Sequence, residues 1–503
     1  MRSTIGILAI GGLLAHSSYA APSVKNFIYI VPDGYGPASQ TMARDYASLL
    51  ENGQTPGAPV SYQLPADQMV IGNVRTLASN NLITDSAASA TAFGCGVKTY
   101  NNAIAVDDDG QPVGSILEAA KLNGLRTGLV VTSTINHATP ACYVAHVADR
   151  NSYAKIAEHE IGYGHPLGPA VDILMGGGRC YFKPQSDETS CRSDDIDLIS
   201  FAKDHGYYVM QNRSAFDNLE GGKGDIPLPF LGLFNDDQMK YEIDRSRQPE
   251  DGEEEPSLLE MVQTSLNALH RATSCKKKGF FLMIEASRID HAGHASDPAA
   301  HLFDTLMYNE VMGFVREWID AHPDTMMMSA ADHECGGLTL RGYNPLPLGG
   351  ATASTEVLAR RFSEFSGTDA EKRAFLKSEI LPAYGLEDAT DTEINTLLAA
   401  SSLSTEMGNL LASRAGVNWS TGGHTATDIT LYGYGAGDNG RAIKADMAGN
   451  WDNTQLPGYI EAALGVKISD VTTILRANGT GWVGKRDFTK RADDHIHSHE
   501  HAH

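Results

Sequence analysis

Several short stretches of the chain carry side chains that bind metals or hold phosphoryl groups. The segment Glu285-Ala286-Ser287-Arg288-Ile289-Asp290-His291-Ala292-Gly293-His294 is dense in such groups. Asp290 and His294 stand four residues apart, so on a helical turn they share one face. A carboxylate with imidazole suits zinc, whereas a hard oxygen set from Asp, Glu and Thr suits magnesium. Asp332 and His333 are adjacent after the run Met326-Met327-Met328, and on a tight turn both reach one ion. Thr421-Gly422-Gly423-His424-Thr425 places another imidazole in a glycine loop, and Asp33 follows the apolar run Phe27 to Val31. One acid at a strand end usually serves a turn or a helix cap; several such positions together point to a cation cluster.

A second set of residues suits anion chemistry. Thr84-Asp85-Ser86 runs straight into the small helix formers Ala87-Ala88-Ser89-Ala90. Ser86 therefore falls at a helix N-terminus, where unpaired amides and the dipole favour an anion. No Gly-x-Ser-x-Gly elbow surrounds it, so a Ser-His-Asp hydrolase is not supported. A nucleophilic Ser86 needs another activator, and a metal on its oxygen is one. The segment from Thr132 adds His137, Thr139 and Arg150, and an arginine can clamp two phosphoryl oxygens at once.

These residues have to be positioned by the elements around them. The runs Phe27 to Val31, Thr127 to Val131, Gly279 to Ile284, Thr325 to Ser329 and Ile429 to Tyr434 are continuously apolar, as strands buried on both faces are. Helical patterns lie between them at Ala38 to Leu50, Ala87 to Cys95, Ser115 to Lys121, Pro256 to Ala272 and Ala299 to Ala321. The alternation predicts an α/β fold with a mostly parallel central sheet, whose ligands bind beyond the carboxyl ends of the strands. Residues 345–421 break this rhythm, with helical patterns at Ala370 to Ile380 and Asp391 to Ser401, and read as an inserted subdomain. The remaining 21–344 and 422–490 form the catalytic unit, Asp236 to Glu255 is an acidic loop, and a His-rich tail over 491–503 is expected to be disordered.

Composition narrows the function classes. With 503 residues, 42% hydrophobic and 20% charged, the chain can bury a large core. Lys and Arg total 39 against 62 acids, a net charge of −23. That balance argues against a nucleic-acid surface and against docking on anionic membranes. It leaves anionic substrates open, because bound divalent ions reverse the local field. The N-terminus reads as a secretory signal cut after Ala20, with one basic residue, a short apolar core and small residues before the cut. No other segment is apolar enough to span a bilayer, so a soluble secreted protein is expected. Cys180 and Cys191 share a polar loop and suit a disulfide, whereas Cys95, Cys142 and Cys335 read as small buried residues. Asn-x-Ser/Thr sequons at Asn212, Asn418 and Asn478 agree with a secreted glycoprotein.

Taken together, Pro32-Asp33-Gly34, Thr84-Asp85-Ser86-Ala87-Ala88, His137-Ala138-Thr139-Pro140 with Arg150, Glu285 through His294, Ala331-Asp332-His333-Glu334 and Gly423-His424-Thr425 resemble the alkaline phosphatases, in the family's order and over residues 25–435. The resemblance is to secreted, eukaryotic-like members, including fungal ones. It implies a three-layer sandwich with a crown-type subdomain at 345–421, a homodimer, and a site with two zinc ions and one magnesium. By motif position Asp290, His294 and His424 hold one zinc, and Asp33, Asp332 and His333 hold the second beside Ser86. Asp33 also bridges to magnesium held by Thr139 and Glu285. Ser86 forms a phosphoserine during hydrolysis of phosphate monoesters to alcohol and inorganic phosphate, Arg150 grips the phosphate, and Asp85 orients Arg150. His137 and His291 stand where some bacterial members carry Asp and Lys; they are expected behind the ligands and leave open whether the third ion is magnesium or zinc. Glu242 and Glu255 resemble part of the calcium site of animal members. A phosphodiesterase of the same superfamily and a non-enzymatic metal- or phosphate-binding protein are the alternatives; a sulfatase fails because Ser86 lacks the Cys/Ser-x-Pro-x-Arg context.

Overall fold

The first apolar run forms β1 (Asn26–Pro32), all of it buried. A strand without a polar face needs a layer on each side, and β1 lies inside a ten-stranded sheet. The structure is a computed structural model that describes residues 21–224, 226–247, 254–342 and 344–485. Along the chain follow β2 (Val70–Arg75), β3 (Arg126–Thr134), β4 (Ile173–Gly177), β5 (Tyr208–Met210), β6 (Phe230–Leu233), β7 (Phe280–Ala286) and β8 (Thr325–Ser329). The short β9 (Glu334–Cys335), β10 (Thr339–Leu340), β11 (Val417–Asn418) and β12 (His424–Thr425) form two separate ribbons, β9 with β12 and β10 with β11. β13 (Ile429–Gly435) and β14 (Gly449–Asp452) return to the large sheet.

The sheet order is β14-β2-β13-β8-β1-β7-β3-β4-β6-β5. Only β13 runs antiparallel to its neighbours, β2 and β8. Successive strand residues point to opposite faces, and the aromatic contacts show what covers each. Phe281 packs against Tyr143, and Tyr29 against Phe93 of the helix Ser86–Cys95. Phe280, one residue out of phase, packs against Trp318 of the helix Pro298–Ala321. Helices therefore sandwich the sheet, giving the expected α/β architecture. Strands β2, β4, β5, β6 and β14 fall outside the apolar runs. β2 is mostly exposed, β4 ends in Gly176-Gly177, and β5 has 3 residues, so none carries a long apolar signal.

Residues 345–421 are largely helical, with Thr355–Glu364, Asp369–Phe375, Asp391–Ala399 and Leu403–Ala415. Their Leu358, Tyr384, Ile394 and Leu411 share one apolar core with Met42 and Leu302 of the body. Asp297 fastens the two: its carboxylate accepts from the Tyr384 hydroxyl and the Thr355 amide, each at 2.7 Å. Cys180 and Cys191 form the expected disulfide, and Cys95, Cys142 and Cys335 are buried thiols. The sequon residues Asn212, Asn418 and Asn478 are exposed. Among the described residues no helix is long and apolar enough to cross a membrane. The expected signal sequence and the His-rich tail lie outside the described residues.

Candidate active site

Three adjacent strands, β8, β1 and β7, deliver carboxylates to one edge of the sheet. Asp33 follows β1, Asp332 follows β8, and Glu285 lies within β7 in register with Val31. Gly34, with φ +73°, makes the turn after β1, and a Cβ there would stand 2.5 Å from the Cα of Asp290. A side chain at this position would push away the helix Arg288–His294, so glycine is what lets Asp290 approach Asp33.

Asp290, His294 and His424 converge with Cys335, their ligand atoms lying within 4.8 Å of one another. His294 Nε2 is 3.3 Å from Asp290 Oδ2 and 3.1 Å from His424 Nε2. His424 arrives on β12, opposite Cys335 of β9. Each ring is tied through Nδ1 to a backbone carbonyl, His294 to Gly422 at 2.7 Å and His424 to Thr84 at 2.9 Å. A proton on Nδ1 leaves the Nε2 lone pair for an ion. Cys335, which reads from sequence as a small buried residue, adds a thiol to this group.

The second group is Asp33, Asp332 and His333. His333 Nε2 lies 3.1 Å from Asp332 Oδ2, 3.7 Å from Asp33 Oδ1 and 3.1 Å from Ser86 Oγ. On the other side of Asp33 stand Glu285 and His137, again within 4.8 Å, with Thr139 Oγ1 3.5 Å from Asp33 Oδ2. His137, expected behind the ligands, is thus at ligand distance. His291 stays outside this group, edge-on to His137 with ring centroids 5.5 Å apart and 3.0 Å from Arg288.

Ser86 is the first residue of a buried helix whose N-cap is Asp85. Asp85 accepts from the Ala88 amide at 2.9 Å and, through Oδ2, from Asn102 at 2.9 Å and Arg150 at 3.2 Å. The other arm of Arg150 lies 3.3 Å from His137 Nε2. The guanidinium is thereby held across the Ser86 helix terminus.

The electrostatics ask for cations. Asp33 Oδ1, Asp290 Oδ1, Asp332 Oδ2 and Glu285 Oε1 are buried without a hydrogen-bond partner. Burial and the neighbouring Asp332, Asp290 and Glu285 carboxylates push Asp33 well above the usual carboxylate range. Burial, helped by Asp332, raises Glu285 to about 7. Burial also acts against the charge on Asp290, but His294 pulls it well below the usual range. His294 in turn is lifted to about 9, burial being outweighed by Asp290. Orphaned oxygens and correctly turned imidazoles fit bound divalent cations. Glu242 and Glu255 are each held by partners within the protein. Arg245 grips Glu242 at 2.6 and 2.7 Å, and Asn235 and the Lys240 amide bind Glu255 at 2.6 and 2.8 Å. The internal arginine already supplies the counter-charge, and among the described residues neither acid joins a group of ligating side chains.

The sequence pattern of the alkaline phosphatase family matches residues 24–466. The chain is 38% identical to the repressible alkaline phosphatase of Saccharomyces cerevisiae, covering 99% of this chain and 92% of that protein. It is 39% identical to the alkaline phosphatase of Schizosaccharomyces pombe, covering 90% and 83%. The Thermus thermophilus alkaline phosphatase structure superposes with a TM-score of 0.77 at 27% identity, over 94% of this chain and all of that one. A TAB5 alkaline phosphatase variant with Mg bound in its M3 site superposes with a TM-score of 0.61 at 25% identity, over 89% and 99%. The fold, the carboxylates at the sheet edge and these likenesses lead to one conclusion: the chain belongs to the alkaline phosphatase family and hydrolyses phosphate monoesters with the help of metal ions.

Proposed function

We propose that Ser86 is the nucleophile and carries the phosphoryl group between the two halves of the reaction. The observation that carries this reading is the position of its Oγ, at a helix N-terminus and 3.1 Å from His333. Asp290, His294 and His424 hold one zinc, Asp33, Asp332 and His333 a second, and Asp33, Thr139 and Glu285 a magnesium faced by His137. When bound, the ions offset charge on the attacking and leaving oxygens and ease ionisation of a hydroxyl. The chain's own part is positioning. The helix terminus and Arg150 take the non-bridging phosphoryl oxygens, and Asp85 fixes the guanidinium. The Ser86 Oγ–P bond forms as the ester P–O bond breaks, and the alcohol leaves with a proton. Water then bonds to phosphorus as the Oγ–P bond breaks, a water proton returns to Oγ, and inorganic phosphate leaves.

The same reading includes secretion, supported by the leader over residues 1–20, the exposed sequon asparagines and the Cys180–Cys191 bridge. It also includes a homodimer, carried over from the family, and the inserted residues 345–421 as a crown over the site. Acid quenching of turnover on a labelled monoester tests the central claim: label is expected on Ser86 and on no other residue. An active Ser86→Ala enzyme, or label elsewhere, overturns it.

A further inference from the structure

Outside these groups lies another buried set, Glu118, His146 and His165, whose ligand atoms also fall within 4.8 Å of one another. Glu118 sits in the first turn of the helix Ile116–Leu122, and its Oε2 accepts from the Ser115 amide at 2.9 Å. Oε1 points the other way, 3.1 Å from His146 Nε2 and 3.5 Å from His165 Nε2. His146 Nδ1 is 2.9 Å from the Ala105 carbonyl and so carries that ring's proton. Its Nε2 therefore turns a lone pair toward the carboxylate oxygen, and something positive has to lie between them. The His165 side chain is fully buried, and its Nε2 has no hydrogen-bond partner.

The spacing repeats that of the catalytic centre. There, Asp290 lies 3.3 Å from His294 and 3.5 Å from His424, and both rings are likewise anchored through Nδ1 to carbonyls. Ligand atoms each about 2.1 Å from a tetrahedral zinc stand roughly 3.4 Å apart. We propose that Glu118, His146 and His165 form a structural site for a zinc-class divalent cation, distinct from the ions that act on substrate.

The donor set of two imidazoles and one carboxylate favours zinc over magnesium or calcium. Trp482 closes over it, its ring 5.3 Å from that of His146 and 5.2 Å from that of His165. One contact opposes binding: the Leu167 amide donates to His165 Nδ1 at 3.2 Å. Ligation through Nε2 moves the ring proton to Nδ1, so this amide has to turn away. Bound there, the ion ties the helix Ile116–Leu122 to the segment of His146, four residues before Arg150, and to the loop of His165.

Zinc-replete crystals of the full chain, measured above and below the zinc absorption edge, test the site. An anomalous peak is expected between Glu118 Oε1 and the two Nε2 atoms, in addition to those at the catalytic centre. Elemental analysis of folded Glu118→Gln is expected to show about one zinc per chain fewer than the parent. No peak in the cluster, or unchanged zinc content in folded Glu118→Gln, overturns the proposal and leaves a proton shared between His146 and Glu118. If Glu118→Gln does not fold, the crystal of the parent chain decides alone.

Discussion

Asp85 caps the Ser86 helix and, beside the Asn102 amide, holds Arg150 with the same carboxylate. The two duties separate by mutation. On the proposed clamp, Arg150→Ala removes a charge-assisted contact with the phosphoryl group, a loss of about 1.5–3 kcal/mol or roughly 10–150-fold in affinity. Inhibition by inorganic phosphate should weaken by that factor with the thermal midpoint nearly unchanged; an unaltered inhibition constant refutes the clamp. Asp85→Ala should in addition cost about 1 kcal/mol of stability through the lost cap, measured by denaturant titration. The buried ligands predict how ions and protons compete. Folded Glu285 and His294 both bind protons more tightly than the unfolded chain does, at about 7 and about 9. Each therefore stabilises the ion-free protein at low pH, and that contribution is lost as pH rises through those values. Ions need the deprotonated groups, so the midpoint difference between loaded and ion-free protein should widen from pH 5 to pH 9; a constant difference argues against these ligands. Most of this centre is legible in the sequence because Asp33, Glu285 and Asp332 end long apolar runs. Cys335 is not legible, because only the pairing of β9 with β12 sets its thiol beside His424. The partner of Glu242 is legible, since Arg245 follows it by three residues on one helix and meets its carboxylate.

At the scale of elements, the site depends on how closely the turn after β1 meets the helix Arg288–His294. Gly34→Ala introduces a side chain at φ +73° and at 2.5 Å from the Asp290 Cα. The left-handed backbone alone costs about 1–2 kcal/mol, and relieving the overlap moves Asp290 away from Asp33. The variant should lose ions faster to a chelator and lose activity at limiting zinc; parental release rates would show that the turn does not set the cage. Central strands β1, β3, β7 and β8 can be read from sequence because both their faces are covered, so apolar residues run on without interruption. β2, partly solvated, and the three-residue β5 lack that continuity. Their places are fixed by neighbours in the sheet, and a single stretch of sequence does not carry that information. The predicted helix Ala370 to Ile380 shows the same limit: it begins one residue earlier and widens into a π turn over Leu376–Ile380, before Pro382.

At the scale of the molecule, one covalent tie, the Cys180–Cys191 bridge, closes a loop with a sequence separation of 11. Opening the Cys180–Cys191 bridge with paired serine substitutions should cost about 2–3 kcal/mol, seen as a lower denaturant midpoint. Turnover at 25 °C should stay within about twofold, because neither cysteine belongs to the groups around Ser86; a large loss of turnover at full folding would place that loop in the active site. The inserted residues 345–421 lie between Asp332-His333 and His424 in the chain, yet they pack into a core shared with the body. His424 is carried by the short β12, which follows the insertion in the chain and pairs with β9, which precedes it. This order has a consequence for biosynthesis. A chain that stops before residue 424 lacks His424 and also β13, the strand that joins β2 to β8, so the proposed first ion cage and the sheet are left incomplete together. On the proposed ligand set, metal retention therefore reports on the same stretch of chain that closes the sheet.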